Sequence, residues 1–225
     1  MKMRTVPLIM ILLIFAVVQS VSAANDRTLS ITIAKQTITA SGLSPGSTAV
    51  FFGIAQVPIP HAYMSHVQRW AVTVDDVDKK GSVTLDLRQD IPPASVWAVV
   101  DLLNAHYGVM NGPGMGLREI LLDNPLRKGP SQSVDRFAFT HGYLDLLYVH
   151  PGLGAWTWSA LAGTTADNRG PNGSTIVSLA DGKPVGQPAQ KPPSFLPGGI
   201  LVAVDFIHLE IAVVSVDQQL IGGAR

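Results

Sequence analysis

The chain has 225 residues, 47% hydrophobic and only 14% charged, against a usual charged share of about 25%; such a chain is not an intrinsically disordered polyelectrolyte. Sixteen basic residues balance sixteen acidic ones, so no net field draws it toward nucleic acid or an anionic membrane. There is no cysteine, which removes disulfides, thiolate metal sites, a cysteine nucleophile and the cysteine of a bacterial lipoprotein anchor.

Residues 1–24 read as a secretory signal peptide. Lys2 and Arg4 precede an apolar run from Val6 to Val18, and Gln19 to Ala24 supplies the small residues of a cleavage site after Ala23 or Ala24. The run is shorter than the ~20 residues that span a bilayer. The expected product is therefore a secreted or periplasmic chain with no stable membrane span. Losing Lys2 and Arg4 leaves fourteen basic against sixteen acidic residues, so the mature chain is slightly acidic. Export without disulfides fits a bacterial envelope protein stabilised by its core alone.

Along the mature chain, 25–225, periodicity of two dominates. Thr28 to Ile33 alternates polar with apolar, placing Leu29, Ile31 and Ile33 on one face of a strand. Gln36 to Ala40 returns as a second strand after Ala34-Lys35. Ser41 to Gly46 is turn chemistry, and Ser47 to Ile54 is a third strand. Trp70, Val72 and Val74 alternate with Arg69, Ala71, Thr73 and Asp75; after Asp76 to Gly81, Val83, Leu85 and Leu87 do the same. The two runs read as a hairpin with one wet and one dry face, closed by Gly81 at positive φ. Val96 to Leu103, almost wholly apolar, suits a strand buried on both sides.

From Asn104 the pattern dissolves into Gly, Pro and Asn, a long connection at about 104–134 with a short helix at Leu117 to Asp123. Strands resume at Phe137-Ala138-Phe139, Tyr143 to Val149, Ala155 to Ala160 and Thr175 to Leu179; Asp181 to Gly199 is a Pro/Gly-rich loop. Ile200 to Val216 is interrupted by Asp205, His208 and Glu210, each costly at mid-bilayer. It reads as one strand bent near Phe206, or as two consecutive strands.

Ten or so short strands with little helix predict an all-β, immunoglobulin-like antiparallel sandwich with long loops. The turn at Ile38-Thr39-Ala40-Ser41-Gly42-Leu43-Ser44-Pro45-Gly46-Ser47 resembles the second-strand turn of bacterial immunoglobulin-like and fibronectin-type modules, and Asp76 to Leu87 is similar to their later hairpin. The resemblance covers about residues 27–105. It implies adhesion, display or ligand binding and assigns no functional residues.

Candidate constellations are few. Gly42-Leu43-Ser44-Pro45-Gly46 spells a nucleophile elbow, but Pro45 has no N–H for an oxyanion and a strand follows. Asp76-Val77-Asp78-Lys79-Lys80-Gly81 begins like a calcium loop, yet Lys80 and Leu87 occupy ligand positions, leaving a solvated hairpin loop. Of the six histidines, His61 and His66 match no zinc spacing, and His106 stands alone. His141, Asp145 and His150 cluster in sequence, and His208 and Glu210 share a strand. Any of these could form a zinc site or a His–carboxylate pair supporting a hydroxyl nucleophile, but no spacing is diagnostic and they read as ordinary surface or hydrogen-bonded histidines. Convergence of His141, Asp145, His150 and His208 in one cleft is what a metal site would require. Glu119 and Glu210 are the only glutamates, and no carboxylate pair is assigned for glycoside chemistry. Gly112 to Gly116 lacks the context of a phosphate loop, and Leu196-Pro197-Gly198-Gly199 lacks the threonine of a sortase signal. Trp156 and Trp158 share a strand face, read as core rather than as a carbohydrate platform; Tyr63 and Tyr107 fall in loops.

The expectation is a non-catalytic binding or structural module of the cell envelope or extracellular space. No catalytic, cofactor or metal residue is assigned, and the partner would be a protein or carbohydrate. Recognition is expected on the loops Gln56–Val67, Asn104–Pro130 and Asp181–Gly199. The alternative is a β-sandwich hydrolase or metal-dependent enzyme using His and Asp residues from separate strands; a structural subunit joined through edge strands is a third.

Overall fold

The computed structural model describes residues 29–59, 65–110, 131–134, 144–159, 175–178, 181–186, 195–206 and 209–216. The signal segment, the expected helix at 117–123, the strand at 137–139, and His61, Tyr63, His141 and His208 lie outside these residues. The protein is all-β and antiparallel, as the alternation predicts. Among the described residues, no helix is long and apolar enough to cross a membrane.

In chain order the strands are β1 (Ser30–Ala34), β2 (Thr37–Ser41), β3 (Thr48–Pro58), β4 (Ser65–Asp75), β5 (Ser82–Asp86), β6 (Ser95–Asp101) and β7 (Tyr107–Met110). There follow β8 (Ser131–Val134), β9 (Leu144–His150), β10 (Gly154–Ser159), β11 (Thr175–Ser178), β12 (Lys183–Pro184), β13 (Ile200–Asp205) and β14 (Glu210–Ser215). They form a three-stranded sheet β1-β2-β5, a four-stranded sheet β4-β3-β6-β7, a five-stranded sheet β12-β10-β9-β13-β14 and a ribbon β11-β8.

The three larger sheets stack. Alternation along β3 and β6 assigns each residue to one of two cores. Ala49, Phe51, Trp97 and Val99 meet Ile38, Ala40, Val83 and Leu85 of the first sheet. Val50, Phe52, Ile54, Val96, Ala98 and Val100 meet Leu147, Val149, Val202, Val204 and Ile211 of the third. The four-stranded sheet is thus a middle layer, which is why β6 is buried along its whole length. A third cluster, with Leu146, Tyr148, Trp156, Trp158, Leu201 and Phe195, covers the far side of the five-stranded sheet. Trp156 and Trp158 are core, Trp156 stacked on Tyr148 and Trp158 edge-on to Phe195, and present no exposed platform. Tyr148 pins the Phe195 segment there, its hydroxyl accepting from Leu196 N at 2.7 Å.

Two sequence expectations change. β4 and β5 are not a hairpin: β4 pairs with β3 and β5 with β2, so Asp76 to Gly81 carries the chain between sheets. The physical reason is Asp76, 3% exposed rather than solvated. Its carboxylate accepts N–H groups from Gly46, Lys80 and Gly81, at 2.9, 3.1 and 2.8 Å, and so ties the crossover to the β2–β3 turn. Gly81 has the expected positive φ of 70°, and a Cβ there would lie 2.6 Å from Leu43 O. Within the expected connection at 104–134, Tyr107–Met110 forms β7 and Ser131–Val134 forms β8. Tyr107 is therefore a strand residue packed on the inter-sheet core. Of the two readings of Ile200 to Val216, the structure has two consecutive strands, paired with each other in register from Ile200↔Ser215 to Asp205↔Glu210.

Candidate functional site

Strand alternation carries two charges into the space between the middle and third sheets. On β4, Val67, Arg69 and Ala71 lie opposite Gln56, Ile54 and Phe52 of β3, so Arg69 shares the face of a core residue, Ile54. On β9, Asp145 shares a face with Leu147 and Val149. Its cross-strand neighbours are Ser159 and Val204. Arg69 Nε donates to Asp145 Oδ2 at 2.8 Å, a bond that crosses from one sheet to the other. Arg69 Nη1 also donates to Val67 O at 3.4 Å, and the guanidinium lies over the Phe206 ring, 4.9 Å from its centroid. Gln56 Nε2 donates to Phe206 O at 2.8 Å, fixing that ring from the same side.

The two partners are buried unequally: the Asp145 side chain is 2% exposed and that of Arg69 31%. Asp145 Oδ1 is buried with no hydrogen-bond partner among the described residues. Burial pushes the Asp145 carboxyl above its ordinary range, and the Ser159 hydroxyl and Arg69 offset that only in part. Beside the pair opens a cleft of about 210 Å³. One wall is β4 with Phe52 behind it; the other is Thr157 to Ser159 of β10, with Asp181 and Lys183 at the rim. Both walls are outer parts of their sheets, since β4 ends the middle sheet and β12, pairing only with Trp156 and Thr157, ends the third.

Among the sequence candidates, Asp145 and His150 do not converge. Five residues apart on one strand, they face opposite sides of the sheet. Asp145 meets Arg69, whereas the His150 ring nitrogens meet the carbonyls of Pro151 and Pro197 at 2.7 and 3.2 Å, beside Tyr148. His66 lies on β4 and His106 in the turn before β7. Among the described residues no three of His, Asp and Glu gather as a metal site. Gly42 to Gly46 is a turn into β3, with Ser44 N donating to Asp101 Oδ2 at 2.7 Å. Of the loops expected to recognise a ligand, Asp181 and Lys183 reach the cleft; Gln56 and Val67 belong to strands that extend to Pro58 and from Ser65.

Arg69 escaped the sequence reading because it fell on the supposed wet face of β4. The available signal was its neighbour Val67, two residues away on that same face.

The raised Asp145 acid sets a pH dependence. A carboxyl whose folded value exceeds its unfolded one, ~3.9, favours folding while protonated. Its contribution is lost as pH rises through the folded value. Asp145→Asn, which keeps an acceptor for Arg69 Nε, is expected to flatten the fall in melting temperature between about pH 4 and neutrality. Parallel melting curves of the two proteins across that window check this; identical slopes would refute it.

No family model matches the chain, and no curated protein does. Among solved structures it is similar to red sea bream transglutaminase, with a TM-score of 0.24 and 15% identity over 84% of this chain and 31% of that one. The chain spans about a third of that protein's length.

Proposed function

We propose that the protein is exported by residues 1–24 and acts in the cell envelope or extracellular space as a non-catalytic binding module, with the inter-sheet cleft as its recognition site. The observation that carries this reading is the cleft itself, where Arg69, Asp181 and Lys183 border a concavity that also has apolar walls at Phe52 and Ala71. Ligand sites commonly combine an apolar lining with a few placed polar groups.

The strand order supports kinship of residues 27–105 with immunoglobulin-like and fibronectin-type modules. A three-stranded sheet β1-β2-β5 faces β4-β3-β6-β7, with sequential strands β4 and β5 in different sheets, as such sandwiches require. The partner on this reading is a protein or carbohydrate that inserts one group between the layers.

Two measurements test the proposal. Expressed from Met1 in a bacterium, the protein is expected outside the cytoplasm with a new N-terminus at Ala24 or Asn25; full-length protein confined to the cytoplasm would overturn export. On glycan and protein arrays, wild type is expected to bind where Ala71→Leu, which fills the cleft, does not. Equal binding by the two would overturn the cleft as the recognition site.

A further inference from the structure

We infer that the cleft takes a carboxylate carried on a compact apolar body, held by the guanidinium of Arg69 and by Lys183. This rests on the reading of the cleft as a recognition site and names the chemistry of what enters it.

Arg69 is prepared for such a contact. Its Nε–H is committed to Asp145, and Nη1 makes only a long contact with Val67 O. Among the described residues Nη2 makes no hydrogen bond, while about a third of the side chain stays open to the cleft. A planar guanidinium held from behind by a buried carboxylate, and from below by an aromatic ring, loses little rotamer freedom on binding. Its remaining N–H groups match carboxylate oxygens in direction and spacing. Lys183 adds a point charge at the rim, and Asp181 beside it limits the positive field. With Asp145 and Asp181 set against Arg69 and Lys183 the site has no excess of formal charge, which disfavours a phosphate dianion and limits the ligand to a single charge.

Size and lining describe the rest of the ligand. The volume of about 210 Å³ equals roughly seven waters at their liquid share of ~30 Å³ each. That is small for a ligand site, and it admits one short branched or aromatic group. Phe52 and Ala71 offer that group apolar surface. Among the described residues the cleft's tryptophans are engaged elsewhere: Trp70 stacks on Trp97 at 5.1 Å, and Trp158 meets Phe195 edge-on. Two sources share this chemistry, a free small acid and the C-terminal residue of a polypeptide with an apolar side chain.

The test titrates the mature full chain with 3-phenylpropionate, with acetyl-Ala-Ala-Leu, and with the neutral amide of each. Trp70 and Trp158 border the cleft, so tryptophan fluorescence reports binding directly, and calorimetry checks it. The acids are expected to bind at least tenfold more tightly than their amides. Lys183→Gln is expected to weaken the acids severalfold, and Arg69→Gln by tenfold or more. Ala71→Leu, which leaves the ion pair alone, is expected to abolish binding and guards against misfolding of the Arg69 variant. Binding of the peptide but not its amide, with phenylpropionate weak, assigns the C-terminal source; the reverse assigns a free acid. Equal binding of acids and amides, or binding of neither by folded protein, overturns the carboxylate inference. If array ligands still bind wild type but not Ala71→Leu, the recognition-site reading survives that failure. If Ala71→Leu binds them normally, both fall.

Discussion

Gly53→Ala is expected to be among the most destabilising single-methyl additions in this protein, costing about 3 kcal/mol, the upper part of the usual range for overpacking a full core. For a chain of this size that corresponds to a loss of roughly 6–12 °C in melting temperature. Gly53 sits on β3 directly between Trp70 of β4 and Trp97 of β6 in cross-strand register. The two indoles stack across it with centroids 5.1 Å apart. A Cβ at Gly53 would lie 2.2 to 2.4 Å from three carbons of the Trp97 ring. Trp97 has nowhere to go, being fully buried with Nε1 bonded to Ser95 Oγ at 3.2 Å. Glycine here is required for close approach, not for a turn. Urea and thermal midpoints measure the cost, and near-UV circular dichroism should show the tryptophan pair disturbed. Gly152→Ala is the control: no atom lies within 4 Å of its Cβ, and the positive φ of 77° costs about 1–2 kcal/mol. An unchanged midpoint for Gly53→Ala with an intact tryptophan signal would refute the packing argument.

Asp101→Ala is expected to cost about 5 kcal/mol, because three hydrogen bonds to one buried charged acceptor, each ~1.5–3 kcal/mol, go together. Asp101 ends β6 fully buried. It accepts Ser44 N at 2.7 Å, Leu103 N at 2.8 Å and the Ser47 hydroxyl. It therefore binds the β2–β3 turn to the β6–β7 turn, and its loss removes this acceptor from donors in both, the buried Ser47 among them. Burial opposes its charge, but these donors outweigh burial and hold its carboxyl below the ordinary range. The linkage has the opposite sign to that of Asp145. The stability Asp101 contributes is complete above the unfolded value of ~3.9 and is lost as pH falls through the folded one. Asp101→Asn, less disruptive than alanine, is expected to remove that acid-side dependence while lowering the midpoint at neutral pH. Melting curves from about pH 2.5 to 7 measure both effects. A variant that retains the full acid slope would show that another carboxylate sets it.

Much of the strand inventory was legible because period two is a local property. Leu29, Ile31 and Ile33, or Val83 and Leu85, announce a face without reference to any partner, and all of them pack in the first core. The turn into β2 was legible to within one residue: expected at Ala34-Lys35, it falls at Lys35-Gln36, with Ala34 paired to Thr37 across it. Pairing was harder to read. Two alternating runs joined by an acidic loop and a glycine look alike whether they return in one sheet or cross to another. The buried carboxylate of Asp76 distinguishes the cases here, and its burial depends on Gly46, thirty residues earlier.

The candidate site was hidden for a related reason. Arg69 and Asp145 are 76 residues apart, and neither stands in a recognisable motif. Their meeting depends on a third sheet covering the back of the second. A two-layer reading leaves the Arg69 face of β4 in water; a three-layer structure makes it the wall of a cleft. The apolar runs at Val96 to Val100 and Ile200 to Val204 did carry that information, since strands apolar on both faces need cover on both. They did not reveal which sheets would supply it.

The absence of cysteine and the balance of charge bear the same division. Composition alone made this a chain that must fold on apolar packing, and alternation made it an antiparallel β protein, because both follow from residue type and nearest neighbours. The stacking order, the crossover at Asp76 and the Arg69–Asp145 pair arise from contacts between segments distant in the chain, and only the assembled layers bring those segments together.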